Sequence, residues 1–138
     1  MLKEARGVPI GLAIDGANRH DSKLVEATLK SIPVKRPKAG RRHPQGMCLD
    51  KGYDYDSVRD LVKEFSYTAH IKARGEESQA IKRQAGFKAR RWVVERTHSW
   101  MNRFRRILIR WEKKPENYLA LIHFVCAIIT YRCAGLFG

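Results

Sequence analysis

The stretch Gly46-Met-Cys-Leu-Asp-Lys-Gly-Tyr-Asp54 decides the fold, because it joins a short apolar run to a sharp polar turn. The run 46–49 predicts a short buried strand, and Asp50 opens the turn that follows it. The next segment predicts a helix, because apolar residues recur at helical spacing: Val58, Leu61, Val62 and Phe65. Alternation from Ser66 to Ile71 predicts a second strand. The order strand, helix, strand indicates a parallel β-α-β unit and therefore an α/β protein.

The residues before this unit predict a strand and a helix of their own. Val8 to Ile14 is apolar enough for a strand, which ends in the turn that begins at Asp15. Either Asp21 or Ser22 is placed to cap the helix that follows. The stretch 32–45 holds three prolines and five Lys or Arg residues, which predicts a basic surface loop.

The second half of the chain predicts two helices after a polar loop at 72–87. From Lys88 to Trp111 the apolar positions fall on one helical stripe: Val93, Thr97, Trp100, Met101, Phe104, Leu108 and Trp111. Glu95 lies away from this stripe, and helical spacing gives it polar neighbours: Arg91, His98, Ser99, Asn102 and Arg106. Pro115 begins a last helix, Glu116 to about Cys133, whose apolar surface requires cover by the domain or by a second subunit.

The charge of the chain points to a polyanionic partner. The formal net charge is +14, and the segment from Ile71 to Pro115 holds 14 Lys or Arg residues against four Glu residues. Nucleic acid is the leading candidate partner, although a solvated basic surface is the simpler alternative. A basic RNA-binding or ribosome-associated protein is a rival class, which predicts no dependence on Mg²⁺.

Other features of the sequence exclude several classes of protein. Cys48, Cys126 and Cys133 have no CxxC spacing, so the sequence predicts reduced thiols rather than a zinc knuckle or a disulfide framework. The N-terminus has no apolar signal-peptide core. The apolar run from Tyr118 to Tyr131 contains His123 and is too short to cross a bilayer. We therefore expect a cytoplasmic protein with no membrane partner.

Asp50 and Glu95 are the candidate catalytic residues. Asp and Glu oxygens are the ligands that Mg²⁺ or Mn²⁺ prefers, and two such ions held between carboxylates promote phosphodiester cleavage. This chemistry requires carboxylates from separate elements to converge. The simpler alternatives are that Asp50 is a turn residue and that Glu95 is solvated or paired with an arginine.

Five segments together resemble one family, the DDE transposases of bacterial insertion sequences. They occur in the family's order and extend over almost the entire chain: Ile14 to Asp21, Leu49 to Asp54, His70 to Gly75, Ala89 to Trp100 and Glu116 to Ala120. The resemblance implies a ribonuclease H-like catalytic domain. It also implies that three acidic residues bind two divalent metals, which drive strand nicking and then attack of the freed 3′-hydroxyl on target DNA.

The resemblance assigns roles to particular residues. Asp50 corresponds to the second acid, Glu95 to the third, and Arg91 to the arginine that precedes the third acid. Where many relatives have a Tyr and a Lys around this motif, the chain has Lys88 and Asn102. We expect contacts to DNA, both insertion-sequence ends and target, from eight residues: Lys51, Lys88, Arg90, Arg91, Arg96, Asn102, Arg103 and Arg106.

The chain departs from the family at its front, because the family's first Asp lies on a strand upstream of the segment from Val8 to Asp21. Asp15 and Asp21 are the only acidic residues near this segment that are candidates to replace the first Asp. We therefore expect a partial ribonuclease H-like α/β fold that lacks its first strand and has C-terminal helices. It forms one truncated domain, 1–138, with a strand and helix part (1–71), a loop (72–87) and a helical part (88–138).

Two readings of the function follow from this departure. In the first, the chain is a transposase that is inactive alone, with a two-metal Mg²⁺ or Mn²⁺ site only where the first Asp is supplied. Its partners are then DNA and either a second copy or an N-terminal transposase segment, in the bacterial cytoplasm at the nucleoid. In the second, the chain is a non-catalytic DNA-binding or regulatory transposase fragment.

Overall fold

A computed structural model describes residues 1–16, 18–71 and 91–135, with the side chain of Arg91 outside the description. Within these ranges it contains short strands and helices: β1 (Leu2–Lys3), β2 (Pro9–Gly11), α1 (Val25–Lys30), β3 (Gly46–Leu49), α2 (Asp56–Glu64), β4 (Thr68–Ile71), α3 (Arg91–Met101), α4 (Arg105–Leu108) and α5 (Pro115–Cys133). The chain divides into two compact units. We call 18–26 with 34–89 the sheet unit, and 1–17 with 27–33 and 90–138 the helical unit. The mixed α/β class is confirmed.

The sheet unit contains the predicted β-α-β arrangement. β3 pairs with β4 in parallel, from Gly46 opposite Thr68 to Leu49 opposite Ile71. α2 connects them and buries Val58 and Val62. The prediction that β3 is buried is wrong, because Met47 is its one buried residue. Side chains of a strand alternate between the two faces of its sheet, and Cys48 lies exposed on the face opposite Met47.

The loop between α1 and β3 is held by one arginine. As predicted, the stretch 32–45 contains no helix or longer strand, only the isolated bridge between Gly40 and His43. The Arg36 guanidinium donates to Gln45 Oε1 at 2.6 Å and to the Phe65 carbonyl oxygen at 2.7 Å. It also lies 4.0 Å from the ring centre of Tyr67. Arg36 therefore ties the loop to the sheet unit and is less free to contact a polyanion.

The helical unit has its core between the N-terminal segment and α5. Its buried apolar residues form one cluster: Leu12, Ile107, Ile122, Val125 and Ile129. β1 pairs with β2 in an antiparallel hairpin at the start of the chain. α5 begins at Pro115 and ends at Cys133, as predicted.

The prediction of one helix from 88 to 111 is wrong. α3 ends at Met101, and α4 begins only at Arg105, after Phe104 with a non-helical ψ of 86°. The interruption changes the helical phase, so Ile107 is buried, whereas Leu108 is 54% exposed and Trp111 is 72% exposed. The last two positions of the predicted apolar stripe therefore face solvent.

Two boundaries near the N-terminus also differ from prediction. The strand predicted from Val8 to Ile14 is limited to Pro9–Gly11, because the Leu12 amide donates to Ser31 Oγ at 2.7 Å instead of to a strand. The predicted caps Asp21 and Ser22 lie inside a 3₁₀ turn, Asp21–Leu24. His20 is the N-cap instead, and its Nδ1 accepts from the Ser22 amide at 3.4 Å.

Candidate metal and nucleic-acid site

Asp50 lies directly after β3, as predicted, and is exposed. Its extended backbone, with φ −70° and ψ 158°, makes it the N-cap of the 3₁₀ turn Lys51–Tyr53. Its Oδ1 accepts from the Lys51 amide at 2.6 Å. One carboxylate oxygen therefore holds the turn, which is the structural role that an Asp after a strand commonly has. Lys51, an expected DNA contact, is exposed beside it.

The charges of two acidic residues act on Tyr53, which lies in the turn after Asp50. Burial raises the pKa of the Tyr53 phenol, and the charges of Asp21 and Asp50 raise it further. Both carboxylates therefore act on the same phenol from within the sheet unit.

Glu95 lies on α3 and is exposed. The opposite side of the helix contacts the N-terminal hairpin, since the Thr97 hydroxyl donates to the Gly7 carbonyl oxygen at 2.6 Å. Asp50 belongs to the sheet unit and Glu95 to the helical unit. Among the described residues no group of three or more His, Cys, Asp or Glu side chains is placed to hold a metal ion. That Asp50 and Glu95 share a metal stays a prediction.

His98 follows Glu95 by one helical turn. Partial burial lowers the pKa of its imidazole, and the positive charge of Lys3 lowers it further. Lys3 ends β1, and β1 contacts α3. Burial also lowers the pKa of Lys3 itself.

Arg96 is an expected DNA contact, but its guanidinium already contacts two aromatic rings and a backbone carbonyl oxygen. Its guanidinium carbon lies 4.4 Å from the ring centre of Trp92 and 5.9 Å from that of Trp100. Its Nη1 donates to the Arg6 carbonyl oxygen at 3.4 Å. These contacts orient Arg96 along the surface of α3 and reduce its freedom to follow a phosphate backbone.

Arg106 does not share a continuous helical face with Glu95, because α3 ends at Met101. Its guanidinium instead pairs with Glu112, with Nη2 3.1 Å and Nε 3.3 Å from Oε1. The Glu112 side chain is 12% exposed, and its Oε2 is buried with no hydrogen-bond partner in the described structure. Arg106 therefore neutralises a nearly buried carboxylate.

Other expected DNA contacts lie at the interruption or outside the described residues. Asn102 and Arg103 are exposed between α3 and α4. Lys88, Arg90 and the predicted loop at 72–87 lie outside the described residues, as does the side chain of Arg91, which begins α3.

The sequence interpretation placed no strand before Val8, but the structure has β1 there, and Glu4 directly follows it. Glu4 Oε1 accepts from the amides of Arg6 at 2.9 Å and Val8 at 3.3 Å, which closes the turn of the hairpin. Gly7, with a φ of 91°, was the sequence signal that could have located this turn.

The exposed surface after α4 was not among the site residues predicted from the sequence. Trp111 is 72% exposed and Ile109 is 59% exposed. Exposed cations flank them: Arg105, Lys113 and Lys114. Cations beside exposed aromatic rings are typical of surfaces that bind nucleic acid.

Comparison with known proteins identifies the class of this α/β protein. The model of the transposase DDE domain matches residues 47–132, which is more than half of the chain. The chain therefore belongs to the transposase DDE domain family, and the resemblance inferred from its motifs is confirmed.

A particular relative adds to this assignment. The putative transposase for insertion sequence element IS402 of Burkholderia cepacia is 30% identical to the chain over 137 residues. The match takes in 95% of this chain but spans only 61% of the relative. No solved structure matches the chain. In the part of the chain that the structure describes, no helix is long and apolar enough to cross a membrane.

Proposed function

We propose that this chain binds DNA and supports transposition, by metal-dependent phosphodiester cleavage and strand transfer at insertion-sequence ends. The observation that carries the proposal is the placement of two exposed acids within a member of the DDE family. Asp50 directly follows β3, and Glu95 lies on the solvent side of α3. Both residues are exposed, and carboxylate oxygens are the ligands that hard divalent cations prefer.

The DNA-binding surface is proposed to be the exposed basic residues around the interruption between α3 and α4 and the segment after α4. Arg103 lies in the interruption, Arg105 begins α4, and Lys113 and Lys114 precede α5. Each cation near a phosphate releases a counterion, so DNA affinity falls as salt rises. Arg96 and Arg106 mainly stabilise this surface, because Arg96 stacks on Trp92 and Arg106 pairs with Glu112.

The chemistry of the donor groups suits a hard divalent cation. Exposed carboxylate oxygens are the ligands of Mg²⁺ and Mn²⁺, and a bound ion would stabilise the charge that develops on the departing oxygen. Asp50 presents one oxygen while the other holds its turn. Glu95 presents its carboxylate on the side of α3 away from the hairpin.

We propose Glu4 as a substitute for the family's first acid, beside Asp50 as the second and Glu95 as the third. Among the described acidic residues, Glu4 and Asp50 are the two that directly follow a strand. In both, one carboxylate oxygen accepts an amide of the turn that follows. The expectation that the chain is inactive alone, because the family's first Asp is missing, stays a prediction, which the cleavage assay below tests against this role of Glu4.

The alternative is a DNA-binding domain without catalysis. It is favoured by the engagement of Asp50 Oδ1 in its own turn and by the absence of a metal-holding cluster among the described residues. Under this alternative the acids shape turns and the basic surface is the functional part. Divalent metal would then have no effect on the DNA.

A cleavage assay with matched binding measurements distinguishes the two. The substrate is supercoiled plasmid that carries the ends of the insertion sequence, with Mg²⁺ or Mn²⁺. The proposal expects nicking by the wild type, its loss in Glu95→Gln, and unchanged DNA affinity in that variant. Glu64→Gln, an exposed change of the same charge on α2, serves as the control and retains nicking. Binding without metal-dependent nicking by the wild type supports the alternative.

A further inference from the structure

The loop between α1 and β3 is positively charged along its whole length. The stretch 32–45 holds five Lys or Arg residues and no acidic residue, although the chain contains 14 Asp or Glu residues. Four of the five cations are exposed, and all four belong to the sheet unit: Lys35, Lys38, Arg41 and Arg42. The loop is therefore a basic surface separate from the one proposed above, which lies in the helical unit.

A tight turn lies within this loop. The Gly40 amide donates to the His43 carbonyl oxygen at 3.3 Å, and the His43 amide donates to the Gly40 carbonyl oxygen at 3.1 Å. These two bonds close a two-residue turn that has Arg41 and Arg42 at its tip, and we call it the arginine turn. A Cβ added at Gly40 would meet no described atom within 4 Å, so this side of the turn is not packed against another element.

The base of the loop is fixed to the sheet unit. The Arg36 guanidinium donates to Gln45 and to the Phe65 carbonyl oxygen. The Gln45 side-chain amide donates to the Pro37 carbonyl oxygen at 2.7 Å, which joins the two ends of the loop. The Gln45 carbonyl oxygen accepts from the Thr68 amide at 2.8 Å. Because the base is already ordered, less conformational entropy is lost when the loop binds a ligand.

The guanidinium groups of the arginine turn differ from those of other arginines in the sheet unit. Arg36 is held by the contacts just described, and Arg59 pairs with Asp54 at 2.6 Å. Within the described ranges the side chains of Arg41 and Arg42 make no hydrogen bond, ion pair or ring contact. Both can therefore contact a ligand without breaking a contact of the fold.

We propose that the arginine turn inserts Arg41 and Arg42 into the minor groove of an A·T-rich stretch of duplex DNA. This inference rests on the proposed function, that the chain binds DNA, and adds a contact from the sheet unit. The minor groove is about 6 Å wide and narrows further in A·T tracts, which strengthens its negative potential. A two-residue turn that follows Ala39 and Gly40 has no bulky side chain on that flank, so its shape suits a narrow groove.

The chemistry of arginine favours this groove over a simple phosphate contact. A guanidinium is more weakly hydrated than an ammonium group, so arginine enters a narrow groove at a lower desolvation cost than lysine does. Lys35 and Lys38, on the same loop, are exposed and are placed to contact phosphates beside the groove. Duplex RNA is a poorer ligand, because its minor groove is wide and shallow.

The test is fluorescence anisotropy of the full chain, without divalent metal, on two short DNA duplexes of equal length. One duplex carries a central A·T tract, and the other carries G·C pairs in its place. The wild type is expected to bind the A·T duplex roughly tenfold more tightly. The double variant Arg41→Lys with Arg42→Lys should bind both duplexes nearly equally and keep the salt dependence, because its charge is unchanged. Arg132→Lys, at an exposed arginine of α5, is the control and should keep the preference.

The possible outcomes separate this inference from the proposed function. A wild type that binds both duplexes equally would overturn the inference alone, as would a preference that survives the double substitution. Competition by duplex RNA as strong as that by the A·T duplex would also overturn it. Arg103→Ala should weaken binding to both duplexes and leave their ratio unchanged, since it changes the other basic surface. A wild type that binds neither duplex would overturn the inference and the proposed function together.

Discussion

The Thr97 hydroxyl lies 2.6 Å from the Gly7 carbonyl oxygen, and Thr97 is fully buried. This contact joins α3, which carries Glu95, to the turn of the β1–β2 hairpin, which carries Glu4. A side chain at Gly7 would place its Cβ 3.1 Å from the Val93 carbonyl oxygen, and the φ of 91° disfavours other residues. The close approach of turn and helix therefore requires both Gly7 and Thr97.

Thr97→Val is expected to lower the free energy of unfolding by about 1–3 kcal/mol, because it leaves the Gly7 carbonyl without its side-chain donor. Valine has the shape of threonine, so the decrease in the free energy of unfolding measures the contribution of the hydroxyl. Urea denaturation followed by circular dichroism measures it. Thr97→Ser, which retains the hydroxyl, should lose less, and Ser99→Ala on the exposed side should be neutral. Equal stability of Thr97→Val and the wild type would show that the hydrogen bond is dispensable.

His98 should make stability depend on pH in a defined direction. Burial and Lys3 hold its pKa below the ordinary value of 6.5. Below about pH 6.5 the unfolded chain therefore binds more protons at this residue than the folded chain does, so stability falls as the pH falls. His98→Gln should reduce the drop in melting temperature between about pH 7.5 and pH 5.5. A drop as large as that of the wild type would exclude His98 as its source.

Replacement of Arg103 should weaken DNA binding, whereas replacement of Arg106 should lower the stability of the fold. Arg103→Ala removes an exposed cation, so we expect weaker DNA binding and a smaller salt dependence, by a slope of about 0.9 if one phosphate contact is lost. Arg106→Ala removes the ion partner of Glu112, so we expect a stability loss of about 1 kcal/mol. Fluorescence anisotropy across a KCl series and urea denaturation measure the two effects. The reverse pattern would contradict the roles assigned to these residues.

The parts of the fold that could be predicted from the sequence are those with strong local periodicity. Val58 and Val62 lie where helical spacing placed them, and the strands on either side of α2 pair in parallel as their order indicated. α5 begins at Pro115 because proline suits the first turn of a helix. In each of these elements the local pattern and the packing agree.

Elements decided by tertiary contacts could not be predicted in the same way. The apolar stripe continued through Phe104 without a signal for the end of α3. The break after α3 changes which residues face the core, so Ile107 is buried and Leu108 is exposed. β1 has two residues, too few for any periodicity, and exists through its pairing with β2. The exposed acids Asp50 and Glu95 could be named from motifs, whereas the engagement of Arg96 and Arg106 depends on side-chain contacts that spacing does not reveal.

Iron-directed cleavage of the protein tests most directly the claim that Asp50 and Glu95 hold one metal site. Fe²⁺ in place of Mg²⁺, with ascorbate and peroxide, generates hydroxyl radicals that cut the backbone beside the bound ion. A shared metal site predicts cuts near residue 50 and near residue 95, with both suppressed by excess Mg²⁺ and both lost in Asp50→Asn and in Glu95→Gln. A further cut near Glu4 would support Glu4 in the role of the missing first acid. Cuts at only one of the two acids, or cuts that Mg²⁺ does not suppress, would contradict a shared metal site.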